Sequence, residues 1–368
     1  VFVRYNGCYN CSIDCHATIS YPGRRSFSYK CYGKLTYAMA AYQDVAFNYD
    51  IMGLTQEYGL DSFSTPQVLA FACELYEAGI LTDKDLPDFP EDSGKRFFYL
   101  LEKIVRREGV GDALANGVYW AARQIGKGAE EYDHNTTKKF EQVPLKLGAL
   151  NYPYFLMYAT GAKMNITQIE GSFPQNAIPD KERRKAFVDK WEAAPDKFKK
   201  IYMEWEPRTQ PPIDAAVAIA DWNETMHYID DSVGICAFVS AFKGQFNKSS
   251  YHINNYPEFI SLASGLELDQ DKLWETARRN RTLIRAINNR RGMRREDEKP
   301  PHGHWKQRLP DIEKQLIDEY YKFKGWNEDG IPTKQELDRL GLGYVSQDFI
   351  KRGILTDDKA SPAKETSA

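Results

Sequence analysis

Residues 8–15 read Cys8-Tyr9-Asn10-Cys11-Ser12-Ile13-Asp14-Cys15, three thiols on one short stretch. A C-x2-C-x3-C spacing sets three soft sulfur donors where they can share a metal. A 4Fe-4S cube needs four, and the fourth can come from far along a chain. Zinc is the competing metal, because C-x2-C also opens many zinc sites. Zinc sites usually close with a second local pair, which does not follow here, and His16 is crowded against Cys15. Three buried structural cysteines are the third reading. Cys236, in Asp230-Asp231-Ser232-Val233-Gly234-Ile235-Cys236, is the natural fourth thiolate. A lone cysteine is more often packing than ligand, and only the three-plus-one count favours ligation.

The rest of the chain is that of a globular protein. Its 368 residues are 42% hydrophobic and 27% charged, which excludes a disordered chain and suggests two domains at about 150 residues each. Lys and Arg number 49 against 52 Asp and Glu, a net charge of −3. General binding to nucleic acid or to a membrane surface is therefore disfavoured. No run of about 20 apolar residues offers a transmembrane segment. The 23 Tyr, 19 Phe and 7 Trp predict an interior packed with rings. The six cysteines are clustered rather than spaced as disulfide staples, which points to a reducing, cytoplasmic setting. The chain opens on Val1 without an initiator Met or a secretory segment, and the cysteine motif starts at residue 8. We expect a longer polypeptide with material upstream.

Periodicity predicts helices over 34–58, 67–78, 95–107, 112–125, 181–203, 213–229, 256–263, 269–287 and 310–323. Gly59 and Gly79 are expected C-caps, with Thr65 as N-cap and Pro66 in the first turn of the second helix. Gly and Pro interrupt 134–180, which reads as irregular, and strand signal is slight. We expect helical domains over 1–140 and 141–358 and a flexible tail over 359–368. Gln56-Glu57-Tyr58-Gly59-Leu60-Asp61 shares its shape with the Cys236 turn, a Gly before an aliphatic residue and then a polar or sulfur side chain. Two such turns, at Gly59 and Gly234, suit two similar contacts to a ligand of two-fold character.

These motifs resemble the C-terminal part of the tungsten-dependent aldehyde:ferredoxin oxidoreductase family. The matching stretches are the cysteine loop, E-Y-G-L-D at 57–61 and D-x-x-G-I-C at 231–236. Arg285-Ala286-Ile287-Asn288-Asn289-Arg290-Arg291-Gly292 and Lys324-Gly325-Trp326-Asn327-Glu328-Asp329-Gly330-Ile331-Pro332-Thr333 add to them. The resemblance implies a mainly α chain, the family's two helical domains without its N-terminal β-rich pterin-binding domain. It implies a 4Fe-4S cluster on Cys8, Cys11, Cys15 and Cys236. It also implies a tungsten bis-pterin (tungstopterin) contacted by Asp61 and Asp231 through the Gly59 and Gly234 turns, with Mg2+ bridging the pterin phosphates. The family's first motif carries Asp three residues before its Gly. That place is Gln56 here, and an amide still accepts a hydrogen bond.

Two departures bear on the reaction. Where aldehyde-oxidising members carry a Glu near the metal, this chain has Arg25-Ser26-Phe27-Ser28-Tyr29-Lys30-Cys31-Tyr32. Where they carry a histidine beyond Tyr-Ala-Thr, it has Tyr158-Ala159-Thr160-Gly161-Ala162-Lys163. This pattern is similar to the active-site subunit of class II, ATP-independent benzoyl-CoA reductases, as are K-L-T-Y-x-M-A-A-Y at 34–42 and Arg290-Arg291-Gly292-Met293-Arg294-Arg295. There the equivalent of Cys31 ligates tungsten. On local sequence alone, an inert buried thiol is equally open. The resemblance implies reversible two-electron reduction of benzoyl-CoA, an aromatic acyl-CoA, to a cyclic dienoyl-CoA. Electrons would come through an Fe-S electron-transfer subunit or ferredoxin, in an oligomeric complex of an anaerobic prokaryote. Aldehyde oxidation with ferredoxin as acceptor is the alternative, and a non-catalytic electron-relay fragment is the second.

Other residues have two readings. His227 is a proton donor or, more simply, a core group. The arginines from Arg278 to Arg295 grip a CoA or pterin phosphate, or pair with nearby carboxylates. Cys73 is packing, and His302 and His304 are surface groups.

Overall fold

A hairpin carries the cysteine loop. Strand β1 (Phe2–Asn6) pairs antiparallel with β2 (His16–Ile19), Asn6 opposite His16. The residues between those two, all three clustered cysteines among them, connect the strands. Strand β3 (Phe27–Lys30) adds to the other edge of β2, giving the order β1-β2-β3. The structure, a computed structural model, describes residues 2–9, 14, 16–24, 26–30, 45–142, 151–162, 177–191, 194–235, 252–299 and 309–356. It divides into two units, Val1–Lys146 with Lys299–Lys306 and Leu147–Glu298 with Gln307–Ala368. Both are mostly helical, as expected. The sheet is a correction to the slight strand signal. Its strands are short and polar, and Asn6, Thr18 and Ser28 hydrogen-bond across one face instead of presenting an apolar alternation.

In the first unit, the sheet packs on helix α1 (Val45–Glu57). Phe27 lies 4.8 Å, centroid to centroid, from Tyr49. The Tyr49 hydroxyl donates to the Ile19 carbonyl at 3.2 Å. A Cβ on Gly53 would stand 3.3 Å from the Phe27 ring, so Gly53 admits the close contact. Helix α1 is the described part of the expected 34–58 helix. Helix α2 (Ser64–Glu77) holds Pro66 near its start, but Asp61 supplies the cap expected of Thr65. Helix α3 (Ser93–Arg106) is capped by the Asp92 carboxylate, which accepts from the Lys95 N–H.

The expected 112–125 helix is two: α4 (Val110–Leu114) and α5 (Val118–Ile125). Gly117, at φ +87°, breaks it. The Glu141 carboxylate takes the Val118 N–H at 2.5 Å and starts the second piece. Glu141 belongs to a two-stranded ribbon, β4 (Thr136–Thr137) and β5 (Phe140–Glu141). Burial pushes its carboxyl up, against the pull of the Val118 N–H. Gly111 lets α4 cross the end of α3, since a Cβ there would stand 2.2 Å from the Lys103 carbonyl oxygen. The core of this unit gathers Ile51, Leu69, Leu75, Leu100 and Ala121. Each of the buried Leu and Ile side chains contributes about 1.5–3 kcal/mol.

The second unit is built round one helix. Helix α6 (Tyr152–Thr160) arises inside the stretch expected to be irregular: Asn151 caps it, accepting from the Tyr154 N–H at 3.1 Å, and Pro153 sits in its first turn. The expected 181–203 helix is split into α7 (Lys181–Asp189) and α8 (Asp196–Glu204), the latter starting after Pro195. Helix α9 (Ile213–Val233) is buried at every residue from Ala215 to Asp230. A helix buried on every face belongs at the centre of its neighbours. It packs on α6, on α11 (Gln270–Arg290) and on α12 (Pro310–Lys324). Helix α10 (His252–Ser264) flanks α11. Helices α13 (Lys334–Arg339) and α14 (Gly343–Lys351), absent from the sequence reading, close a small cluster with Leu337, Leu340 and Phe349. Their signal is a Thr333 cap on a helix too short to show a period.

Candidate functional site

Of the cluster cysteines, Cys8 is described, and it is exposed at the start of the hairpin connection. Its Sγ lies 3.8 Å from His16 Nε2, so the imidazole turns back to the thiol loop from the first residue of β2. Asp14 takes the left-handed conformation, φ +49°, which an Asp tolerates better than most residues. Cys11, Cys15, Cys31 and Cys236 lie outside the described residues, as do His302, His304 and the tail from 359. Among the described residues no three His, Cys, Asp or Glu side chains are gathered to hold a metal. Cys73 is packed in α2, where burial pushes its thiol up to about 12 and makes it inert.

The two glycine turns share one backbone geometry. Helix α1 closes on Gly59 at φ +67°, and the Leu60 N–H returns to the Thr55 carbonyl at 3.0 Å. Helix α9 closes on Gly234 at φ +76°, and the Ile235 N–H returns to the Asp230 carbonyl at 2.9 Å. Both are left-handed glycine caps with a six-to-one bond. Gln56 and Asp231, three residues ahead of each Gly, are both exposed on the last turn. Asp61 has a second duty. Its Oδ1 accepts from the Phe63 and Ser64 N–H groups at 2.9 and 2.6 Å and caps α2.

Gln56 opens on a cavity of about 800 Å³ in the first unit, shared with Arg24, Tyr49, Asp50, Glu57 and Phe98. That volume is within the range of cofactor-sized sites. Arg24 pairs with Asp50 on its wall. In the second unit, Asp231 is tied to its surroundings through its neighbours. Ser232 Oγ donates to the Tyr228 carbonyl at 2.5 Å and receives Asn280 Nδ2 at 2.7 Å, and the Tyr256 hydroxyl donates to Asp230 at 3.2 Å.

Further back along α9 lies a buried charge network. Asp221 accepts from Lys324 Nζ at 2.9 Å and Arg278 at 2.6 Å. Glu224 accepts from Lys324 at 2.9 Å, from the Tyr320 hydroxyl at 2.5 Å and from Arg281. Burial alone would raise the Glu224 carboxyl. The charges of Arg281 and Lys324 overcome it and hold the group at about 2. Arg285 binds Glu298 and the Gly330 carbonyl, and its guanidinium lies 4.4 Å from the Trp326 ring. Of the two readings of the arginine run, pairing with carboxylates is therefore the one found for Arg278, Arg281 and Arg285. Arg295 likewise pairs with Asp318 at 2.6 Å. His227 is buried in α9.

Among the described residues, buried atoms here without a hydrogen-bond partner include Arg281 Nη1, the Tyr228 hydroxyl and Trp326 Nε1. Tyr228 stands one helical turn before Asp231, on the same face. Burial pushes its phenol up to about 12, so it stays a donor. Open donors near the second glycine turn fit an acceptor-rich group such as a pterin. The sequence reading missed Tyr228 and Glu224. The available signal was polar residues within a helix otherwise apolar on every face.

Residues 1–342 match the family model for aldehyde ferredoxin oxidoreductase, domains 2 and 3. The chain belongs to the aldehyde ferredoxin oxidoreductase family. It is 27% identical over 362 residues to the tungsten-containing aldehyde ferredoxin oxidoreductase of Pyrococcus furiosus, a match covering 92% of this chain and 53% of that one. It is 27% identical over 312 residues to the WOR-like subunit of an aliphatic sulfonate oxidoreductase of the same organism, covering 81% of this chain and 43% of that one. The active-site complex BamBC of benzoyl coenzyme A reductase, solved with 1,5-dienoyl-CoA, is 57% identical with a TM-score of 0.89. That match covers 96% of this chain and 55% of the solved one. The chain thus spans about half the length of the relatives it matches, and the expected likeness to their C-terminal domains holds. Among the described residues no helix is long and apolar enough to cross a membrane.

Proposed function

We propose that this chain is the two-helical-domain part of a tungsten bis-pterin, 4Fe-4S oxidoreductase subunit that reversibly reduces benzoyl-CoA to a cyclic dienoyl-CoA. The observation that carries the reading is the 57% identity over 96% of the chain to a benzoyl coenzyme A reductase active-site complex. The aldehyde-oxidising relatives stand at 24–27%.

Cys8, Cys11, Cys15 and Cys236 would hold the cluster, and the hairpin that carries Cys8 suits three thiolates on one connection. Asp231, Gln56 and Asp61 would accept hydrogen bonds from the pterin N–H groups, with the Gly59 and Gly234 turns bringing backbone close. Mg2+ would be held with the pterin phosphates. Cys31 would be the protein ligand to tungsten. When bound, the metal supplies a low-potential electron pair to the aromatic acyl group. The chain's own part is to bind, to exclude water and to hold donors such as the Tyr228 phenol protonated. Electrons would arrive from an Fe-S partner subunit within an oligomeric cytoplasmic complex, and the pterin-binding domain would belong to the same polypeptide.

Aldehyde oxidation is the second reading, favoured by the family model. The test is to prepare the complete tungsten-loaded subunit with its partner under anaerobic conditions. Oxidation of dienoyl-CoA to benzoyl-CoA by an artificial acceptor is then followed beside oxidation of simple aldehydes. Turnover of the acyl-CoA with none of the aldehydes is expected, and the opposite outcome replaces this reading with the second.

A further inference from the structure

The second unit has a cavity of about 260 Å³ that the proposed reaction does not use. Its walls are aromatic: Phe198 from α8, Trp222 from α9, Trp274 from α11 and Phe323 from α12. The rings already pack as a set, with Phe198 and Trp222 at 4.6 Å and Trp222 and Trp274 at 5.1 Å between centroids. The Arg278 guanidinium and the buried Asp221 carboxylate line it as well.

Arg278 has capacity to spare. It spends one nitrogen, Nη2, on Asp221, and that carboxylate is also held by Lys324 Nζ at 2.9 Å. Asp221 is therefore already neutralised by Lys324, and the guanidinium keeps Nε, Nη1 and its positive charge for another acceptor. Lys197 and Asp271, which also line the cavity, carry opposite charges.

Size and chemistry select the ligand. A dry cavity of about 150 Å³ holds benzene, and drug-sized pockets start at about 300 Å³. The space here suits one ring with one small substituent. Tilted aromatic walls favour a planar π face, and a guanidinium matches a carboxylate in a fork. The geometry points to an accessory binding site for a single-ring aromatic carboxylate, between α8, α9, α11 and α12. It does not depend on the reaction proposed above, since no residue of the cysteine loop or of the glycine turns enters it.

Equilibrium dialysis of the complete protein against radiolabelled benzoate tests it. Saturable binding near about 1 mM is expected for so small a ligand. Arg278→Met and Trp274→Leu should each weaken it at least tenfold, with the circular dichroism of the fold unchanged. On the unaltered protein, benzyl alcohol, which has the ring without the charge, should bind at least tenfold more weakly than benzoate. Absence of saturable benzoate binding, binding that survives Arg278→Met, or equal affinity for benzyl alcohol each overturns the proposal. The benzyl alcohol comparison decides it even if a variant fails to fold.

Discussion

Leu60 and Ile235 end their helices with the same bond, each returning its N–H to the carbonyl five residues back, at 3.0 and 2.9 Å. Aligned on the two glycines, Gln56 becomes the counterpart of Asp231, and Asp61 the counterpart of Cys236. The position that would deliver a thiolate to the proposed cluster at one turn carries a carboxylate at the other. Different chemistry is thereby hung on one backbone device.

The turns carry a first expectation. A Cβ at Gly59 or Gly234 meets nothing within 4 Å, yet both sit in the left-handed region. Gly59→Ala and Gly234→Ala should each cost about 1 kcal/mol, from backbone strain alone. Urea unfolding of the complete subunit measures it. A loss above about 3 kcal/mol would mean that the side chain meets packed atoms after all.

Lys324 tests the buried network. Lys324→Met leaves Asp221 and Glu224 with one cation fewer and should cost about 3–5 kcal/mol. The pH dependence has a definite sign. The Glu224 carboxyl is held at about 2, below its ordinary 4.5. Its contribution is present above 4.5 and is lost as pH falls toward 2. In the variant the folded value rises, so the acid-sensitive window narrows and the plateau drops. Thermal unfolding between about pH 2 and pH 7 checks both. A plateau loss below about 1 kcal/mol would show that the network does not hold the unit together.

Cys8→Ser should remove iron while sparing the hairpin, because β1 and β2 are paired by backbone bonds that the thiol does not enter. Iron and tungsten contents, with the electron paramagnetic resonance of the reduced protein, give the result. A full complement of four irons in the variant would remove Cys8 from the cluster.

Cys31→Ser separates the two metal centres. We expect it to keep the 4Fe-4S signal and lose acyl-CoA reduction, since thiolate is the soft donor suited to a low-potential metal. Undiminished acyl-CoA reduction in that variant would remove Cys31 from the tungsten.

The sequence showed chemistry more clearly than architecture. Cys8, Gly59 and Gly234 stood out because thiols and left-handed glycines have few uses, and the two glycines close their helices as read. Boundaries were harder to read. Gly117 breaks a helix because Glu141, remote in sequence, takes the N–H of Val118. The β1–β3 sheet escaped because its pairing is polar across Asn6, Thr18 and Ser28. Arg281 and Arg285 are ambiguous in sequence because a guanidinium suits a phosphate as well as a carboxylate. The pairing is decided by Glu224 and Glu298, which only folding brings near.

The network round Asp221 and Glu224 also sets an order of events at the ribosome. Asp221 meets Lys324 across 103 residues, and Glu224 meets Tyr320 across 96. At about 5–20 residues per second, translation leaves these carboxylates without Lys324 and Tyr320 for about 5–20 s. Helix α9 emerges long before its cations do, so the helix that ends in the Cys236 turn cannot settle into its core until α12 has been made. A nascent chain stalled before residue 310 should leave this half of the protein open to protease, and release of the last helices should close it.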